Sequence, residues 1–164
     1  MSLKLPVVIR AEAPDKPEEI NDFIKQLLSL INQHILLDKP VERNCKLVLI
    51  ELITNAIKHA VGFNNIIEIH INEEPVLKIR KIDSGPNLKL DQLISGNEKA
   101  LRNYSVQKQG NVFQFIFIDH RLEEELNSFP EHFGLEIITK VAENFTYEYD
   151  VTSKLNVFTV VICV

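Results

Sequence analysis

Polar residues of one short segment have the types and the spacing that nucleotide chemistry needs. Residues 51–60 read Glu-Leu-Ile-Thr-Asn-Ala-Ile-Lys-His-Ala. On a helix, Glu51, Asn55 and Lys58 are at positions i, i+4 and i+7 and form one polar stripe. Because that stripe borders the apolar face of the helix, we expect its side chains to lie at the rim of a pocket.

The three residue types suit a complex of a metal ion with a triphosphate. Asn55 can give a neutral oxygen ligand to magnesium, and Lys58 can meet phosphate charge. Glu51 can orient or deprotonate an attacking group. The spacing alone fits equally well an amphipathic helix whose polar residues are solvated, since a short motif is only a hypothesis.

Two helices are expected to position this stripe. Apolar residues at helical spacing predict a first helix over Ile20–Ile35, which the Asp-Lys-Pro sequence at 38–40 ends. A second helix is predicted over Val41–Ala60, with a continuous buried stripe along one side. Gly62 stands where a C-cap glycine is expected.

The rest of the chain alternates between strand-like and polar segments. Residues 83–111 are polar and poor in glycine, and they are predicted to form a loop with one helical turn. The predicted strands and the third helix are a short first strand at Leu5–Ala11, strands at Ile66–Ile71, Val76–Ile82 and Val112–Ile118, a helix at Gly134–Asn144 and a closing hairpin of Phe145–Asp150 and Leu155–Val164. Hairpin-linked strands with few helices predict an α+β fold, an α/β sandwich with one mixed, mostly antiparallel sheet and helices packed on one face. We expect a single domain over residues 1–164.

The segment at residues 51–60 resembles the N-box of the GHKL ATPases, a family that includes gyrase, heat-shock chaperones, histidine kinases and mismatch-repair ATPases. Its E-L-x-x-N-A-x-K-H-A form is most similar to that of the anti-sigma-factor serine kinases. The order of predicted elements also resembles the family over essentially the whole chain. The resemblance implies a histidine-kinase-like ATPase domain that binds ATP with magnesium.

Two glycine-containing segments resemble the other motifs of this family. The strand after the N-box leads into Ile-Asp-Ser-Gly-Pro-Asn at 82–87, which is similar to the D-x-G-x-G box, and His-Phe-Gly-Leu at 132–135 is similar to G-x-G-L. Without the N-box, the first of these segments would fit a plain turn. The resemblance implies a catalytic Glu51, a magnesium ligand in Asn55 and a nucleotide site formed by Asn55, Lys58, His59, Asp83, Gly85, Gly134 and Leu135. Asp83 would accept a hydrogen bond from the adenine amino group, and the start of the third helix would meet phosphate.

The chain departs from the family at two glycines. Asn87 stands at the second glycine of the first box, and His132 stands at the first glycine of the second box. These departures keep an alternative open, in which a degenerate, non-catalytic member of the fold acts as a protein-binding regulatory module. For the active form, the resemblance implies transfer of phosphate to a regulatory protein, an anti-anti-sigma-like acceptor, with a sigma factor as a second client.

The segment Val112–Ile118 is an expected insertion in the interval between the two glycine boxes. Its phenylalanines alternate with other, mainly apolar residues, so both faces of a strand would be apolar. Such a strand should pair with a sheet edge or with another chain. A second register remains open, in which this strand, ending at Asp119, is the adenine-binding strand in place of the one ending at Asp83.

Composition excludes several classes of protein. The chain has 164 residues, 45% of them hydrophobic and 25% charged, which is typical of a globular protein. A net charge of −5 argues against non-specific binding to nucleic acid or to an anionic membrane. Cys45 and Cys163 form no CxxC pair, so we expect buried thiols rather than a disulfide or a zinc site. We see no signal peptide and no membrane-spanning segment, and we expect a cytoplasmic protein, compatible with a homodimer.

Overall fold

One sheet of seven strands carries three α-helices in the computed structural model, which describes residues 6–90, 104–118 and 133–164. The strands are β1 Val7–Glu12, β2 Asn65–Ile71, β3 Val76–Asp83, β4 Tyr104–Gln109, β5 Val112–Phe117, β6 Asn144–Asp150 and β7 Leu155–Cys163, and the helices are α1 Ile20–Asn32, α2 Lys39–His59 and α3 Phe133–Val141. The order across the sheet is β1-β2-β3-β7-β6-β5-β4. Every described pair of neighbouring strands is antiparallel. The predicted α+β class is therefore confirmed.

The helices cover one face of the sheet. Along β3 the residues alternate between buried and half-buried, with Leu77, Ile79, Lys81 and Asp83 on the buried face. α2 packs on β7, α3 packs on β5 and β6, and α1 and α3 both pack on α2. The core therefore lies between this face and α2, whose buried side chains are Cys45, Val48, Leu49, Leu52, Ile53 and Ala56.

The start of α2 differs from the sequence prediction. α1 ends at Asn32, and Asp38 is the N-cap of α2 rather than part of a break, since its carboxylate accepts a 2.8 Å hydrogen bond from the backbone nitrogen of Val41. Pro40 lies in the first turn of α2, where a missing backbone N–H costs nothing. Capping by Asp38 sets the first residue of the helix that carries the predicted site.

The end of α2 is tied to the next strand. Gly62 has φ of +79°, so the chain turns in a conformation that favours glycine. The side-chain nitrogen of Asn65 donates to the carbonyl oxygens of Ala60 and Phe63, at 3.2 and 2.9 Å. These bonds satisfy carbonyls at the helix end and hold the last turn of α2 beside the sheet.

The interval between the two glycine boxes contains a hairpin that the sequence predicted only in part. β5 confirms the predicted strand, and it pairs internally with β4 and β6. The prediction of loop over residues 83–111 was wrong at Tyr104–Gln109, which is β4. The two strands meet at a turn in which Gly110 has φ of +62°. Asp119 lies outside the described residues, as does His132.

The structure also bears on the predictions about membrane-spanning segments and about the two cysteines. No helix of the described residues is long and apolar enough to cross a membrane. Cys45 is buried as expected, and burial raises the pKa of its thiol to about 12. Cys163 is exposed, because it lies on the outward face of β7 next to the last residue of the chain.

Candidate functional site

A cavity of about 570 Å³ opens between the second half of α2, the end of β3, the start of β7 and the start of α3. Six residues of the predicted site line it, namely Asn55, His59, Asp83, Gly85, Gly134 and Leu135. Its walls also include apolar residues from α2 and from the β4–β5 hairpin, namely Leu52, Ala60, Tyr104, Val106 and Phe115. The size and the mainly apolar lining are typical of small-ligand sites.

Only part of the predicted polar stripe on α2 faces the cavity. Asn55 is half-buried and lines the cavity, whereas Lys58 is exposed and does not line it. Glu51 is half-buried one turn before Asn55. Burial raises the pKa of the Glu51 carboxyl above its ordinary value, and the positive charge of Lys58 partly offsets that effect.

The register of β3 with β7 builds the floor of the cavity. Asp83 is opposite Asn156, and Lys81 is opposite Phe158. One carboxylate oxygen of Asp83, Oδ1, accepts hydrogen bonds from Asn156 Nδ2 at 2.8 Å and from the Gly85 backbone nitrogen at 2.9 Å. The other oxygen, Oδ2, is 2.7 Å from Lys81 Nζ. The floor is therefore a buried carboxylate with protein donors on both oxygens.

Gly85 is needed where it stands for a steric reason. A Cβ at this position would lie 2.9 Å from Oδ1 of Asp83, closer than such atoms normally come. The absence of a side chain lets the Gly85 amide approach the carboxylate, and the resulting hydrogen bond holds the turn that follows β3.

Asn87, which stands where the family has a glycine, belongs to a hydrogen-bond network behind this floor. The hydroxyl oxygen of Tyr147 lies 2.7 Å from Oδ1 of Asn156 and 3.1 Å from Oδ1 of Asn87. The Leu88 backbone nitrogen donates to the same hydroxyl at 2.9 Å. Burial raises the pKa of Tyr147, which keeps its proton on the hydroxyl. The network ties the loop after β3 to β6 and β7.

The start of α3 meets α2 at very short range. A Cβ on Gly134 would collide with the carboxylate of Glu51 and would lie 3.6 Å from Nδ2 of Asn55. A side chain at position 134 would therefore require the Glu51 carboxylate to move. The N-terminus of a helix favours negative charge, because its first backbone N–H groups lack partners within the helix. In this structure the Glu51 carboxylate is a negative group beside that end of α3.

The residues present can offer only a limited set of metal ligands. Within residues 6–90, 104–118 and 133–164, no cluster of three histidine, cysteine or acidic side chains could hold a metal ion. Magnesium in nucleotide sites commonly uses one or two protein oxygens together with phosphate oxygens and water. Asn55 fits that pattern as a single protein ligand at the cavity rim.

Sequence reasoning missed the residues that build the floor. Lys81, Asn156, Tyr147 and Phe158 were not predicted to belong to the site. A signal existed for Lys81, because it interrupts the apolar alternation of β3 two residues before Asp83. Asn156 carried no such signal, since its contact with Asp83 joins residues 73 positions apart.

The comparisons with known proteins add no relative. No protein-family model matches the chain, and no curated protein matches it. Its function must therefore be inferred from the geometry of the cavity and from the motif resemblance.

Proposed function

We propose that this chain is an adenine-nucleotide-binding domain of a signalling protein, and that the cavity beside α2 holds the nucleotide together with magnesium. The observation that carries the proposal is the convergence of Asn55, Asp83 and Gly134 on one cavity from three separate elements. The family resemblance assigns these positions to the metal, the base and the phosphates.

The floor of the cavity suits a planar base. Asp83 supplies a carboxylate in a buried setting, and the walls above it are apolar and aromatic. A purine would bury its faces against these walls, while its amino group would find a charged acceptor. Hydrogen bonds to charged groups stabilise by about 1.5–3 kcal/mol.

The rim suits the phosphates and the metal. Asn55 would hold magnesium by its side-chain oxygen, and the first amides of α3 would face the phosphate charge. Lys58 lies outside the cavity and would meet the phosphates only from the solvent side. Magnesium bound with the nucleotide would neutralise phosphate charge during transfer. Glu51 lies beside Gly134 and does not itself line the cavity. We propose that it orients or deprotonates an incoming hydroxyl group.

Phosphate transfer to a protein is the activity that the motif resemblance favours. The acceptor would be a serine or threonine on a small regulatory protein of the anti-anti-sigma kind, and a sigma factor would be a second client. In this proposal a separate protein supplies the hydroxyl group.

A second candidate function is favoured by the contact of Glu51 with the start of α3. A carboxylate beside Gly134 occupies the electrostatic position that a phosphate group needs. Asn87 and His132 also replace glycines of the two boxes that the resemblance assigns to the base and to the phosphates. In this alternative the domain holds nucleotide without turning it over and acts by docking to a regulator.

Calorimetric titration with ADP, with and without magnesium, tests the proposed site. The variant Asn55→Ala should bind ADP without magnesium as the wild type does and should lose the gain in affinity that magnesium gives. Thr54→Ala is the matched control, since Thr54 is the neighbouring residue of α2 and does not line the cavity. An unchanged magnesium effect in Asn55→Ala would remove Asn55 from the metal site.

Release of phosphate from ATP separates the two candidates. If the domain is catalytic, the wild type should turn over ATP slowly. Glu51→Gln should turn it over at least about a hundred-fold more slowly, because a general base usually contributes at least that factor. The affinity of Glu51→Gln for ADP should be retained. ATP binding without measurable turnover in either protein would favour the non-catalytic module.

A further inference from the structure

Lys81 is a lysine in an unusual place. It lies on the inward face of β3, between Ile79 and Asp83, and its side chain is only 6% exposed. Lysine is almost never buried to this extent unless its charge is paired, because removal of an ammonium group from water is costly. The buried charge of Lys81 therefore requires a partner of opposite charge. Because Lys81 also lines the cavity, a ligand bound there could contact it.

The ammonium group of Lys81 is held from two sides. Nζ lies 2.7 Å from Oδ2 of Asp83 and 4.8 Å from the centre of the Phe158 ring. A lysine ammonium has three N–H donors, and the face of an aromatic ring attracts a cation without accepting a conventional hydrogen bond. Since Lys81 also lines the cavity, a donor remains for a group bound there.

The acceptor capacity of Asp83 is nearly used within the protein. A carboxylate has about four lone-pair positions. Asn156 and the Gly85 amide take two of them on Oδ1, and Lys81 takes one on Oδ2. The floor can therefore accept one hydrogen bond from a ligand and can donate another beside it.

We propose that Lys81 is a specificity-determining residue that donates a hydrogen bond to the ring nitrogen N1 of adenine, while Asp83 accepts one from the neighbouring 6-amino group. This inference rests on the proposed nucleotide site and deepens it. Adenine presents the acceptor N1 beside the donor 6-amino group. The floor offers the complementary pair, a donor on Lys81 beside an acceptor on Asp83. Guanine presents the acceptor O6 beside two donors, N1–H and the 2-amino group. Asp83 has a single remaining acceptor position, so one of these donors would stay unpaired in the floor.

The decisive comparison uses two ligands on the unchanged protein. The affinity for ADP is compared by calorimetry with that for 1-deaza-ADP, in which carbon replaces N1. Loss of a hydrogen bond to a charged donor predicts about 10- to 100-fold weaker binding of 1-deaza-ADP. GDP should bind more weakly than ADP as well, because its second donor finds no acceptor.

A variant then shows whether Lys81 is the donor. Lys81→Met should bind ADP and 1-deaza-ADP with equal affinity. Lys78→Met is the matched control, because Lys78 is on the same strand with its side chain on the opposite face, and it should keep the full discrimination. Should the single variant fail to fold, the double variant Lys81→Met, Asp83→Asn leaves no unpaired charge in the interior and keeps an oxygen for the Asn156 and Gly85 donors. Its weaker affinities for ADP and 1-deaza-ADP should then be equal.

The outcomes separate this inference from the proposed function. Equal affinity of the wild type for ADP and 1-deaza-ADP would overturn the role of Lys81 and leave the nucleotide site standing. Discrimination that persists in Lys81→Met would assign the N1 contact to another group and would also overturn it. No binding of ADP to the wild type would contradict the proposed function and this inference together.

Discussion

Asp83 uses both of its carboxylate oxygens inside the protein, and this affects how its role can be tested. The substitution Asp83→Asn removes the negative charge next to the buried ammonium of Lys81. Removal of one partner of a buried ion pair typically costs about 3–5 kcal/mol. We expect Asp83→Asn to lower the free energy of unfolding by that amount, as measured by urea denaturation, besides weakening nucleotide binding.

A double variant separates the two effects of Asp83. In Asp83→Asn combined with Lys81→Met no charge is left unpaired in the interior, so most of the lost stability should return. Nucleotide affinity should stay low, because both polar contacts to the base are gone. A single variant Asp83→Asn as stable as the wild type would show that the Lys81–Asp83 pair adds nothing to folding.

Substitution of Glu51 is expected to raise the free energy of unfolding, whereas Asp83→Asn lowers it. Burial raises the pKa of its carboxyl above the ordinary value of 4.5, so the folded state binds this proton more tightly than the unfolded state. Stability must then fall as the pH rises from about 4.5 through the raised folded pKa. Glu51→Gln removes this dependence and should be more stable than the wild type at pH 7.

Urea denaturation at several pH values measures this difference. The advantage of Glu51→Gln should be smallest at the acid end, where Glu51 is protonated in both states, and should reach a constant value above the folded pKa. Thr54→Ala serves as a control on the same helix, without a titrating group. A wild type that gains stability over Glu51→Gln with rising pH would contradict the raised pKa of this carboxyl, and would show that Lys58 and the N-terminus of α3 outweigh its burial.

At the scale of elements, the β4–β5 hairpin forms one wall of the cavity. Phe115 is 4% exposed, and its ring stacks on that of Phe145 with 4.5 Å between the ring centres. Phe115→Ala should lower the free energy of unfolding by about 3–5 kcal/mol, the usual range for a buried phenylalanine.

The neighbouring residue provides the control for this wall. Gln114 is on the opposite, exposed face of β5, so Gln114→Ala should change stability by no more than about 0.5 kcal/mol. Both variants can be compared by urea denaturation. A loss in Phe115→Ala no greater than that in Gln114→Ala would mean that the hairpin does not pack against the core.

The same hairpin shows what local pattern can predict. β5 was predictable because an apolar run on both faces must be covered, and it pairs on both sides. β4 was missed because its C-terminal half, Gln-Lys-Gln at residues 107–109, is polar and exposed. The sequence Gly110-Asn111, a common two-residue hairpin turn, was the signal that could have placed β4 before β5.

At the scale of the whole molecule, the sheet order brings the site together. β7 is the last strand of the chain but lies next to β3, which places Asn156 opposite Asp83. Hydrophobic periodicity predicted both strands and the α+β class, yet it carries no information on this pairing. The α2 part of the site followed from a local helical motif. The β3–β7 floor could not be predicted in this way, because its contacts depend on strand order and register.

The central claim is that the cavity between α2, the β3–β7 floor and the start of α3 binds an adenine nucleotide. Thermal unfolding with and without ADP and magnesium tests it most directly, because a ligand that binds only the folded state stabilises that state. At a concentration of about 100 times the dissociation constant, ADP should add about 2.7 kcal/mol, which for a chain of this size raises Tm by about 5–10 °C. UDP at the same concentration should raise Tm by less, since uracil has no amino group to donate to Asp83. An unchanged Tm with millimolar ADP and ATP, with and without magnesium, would contradict the account.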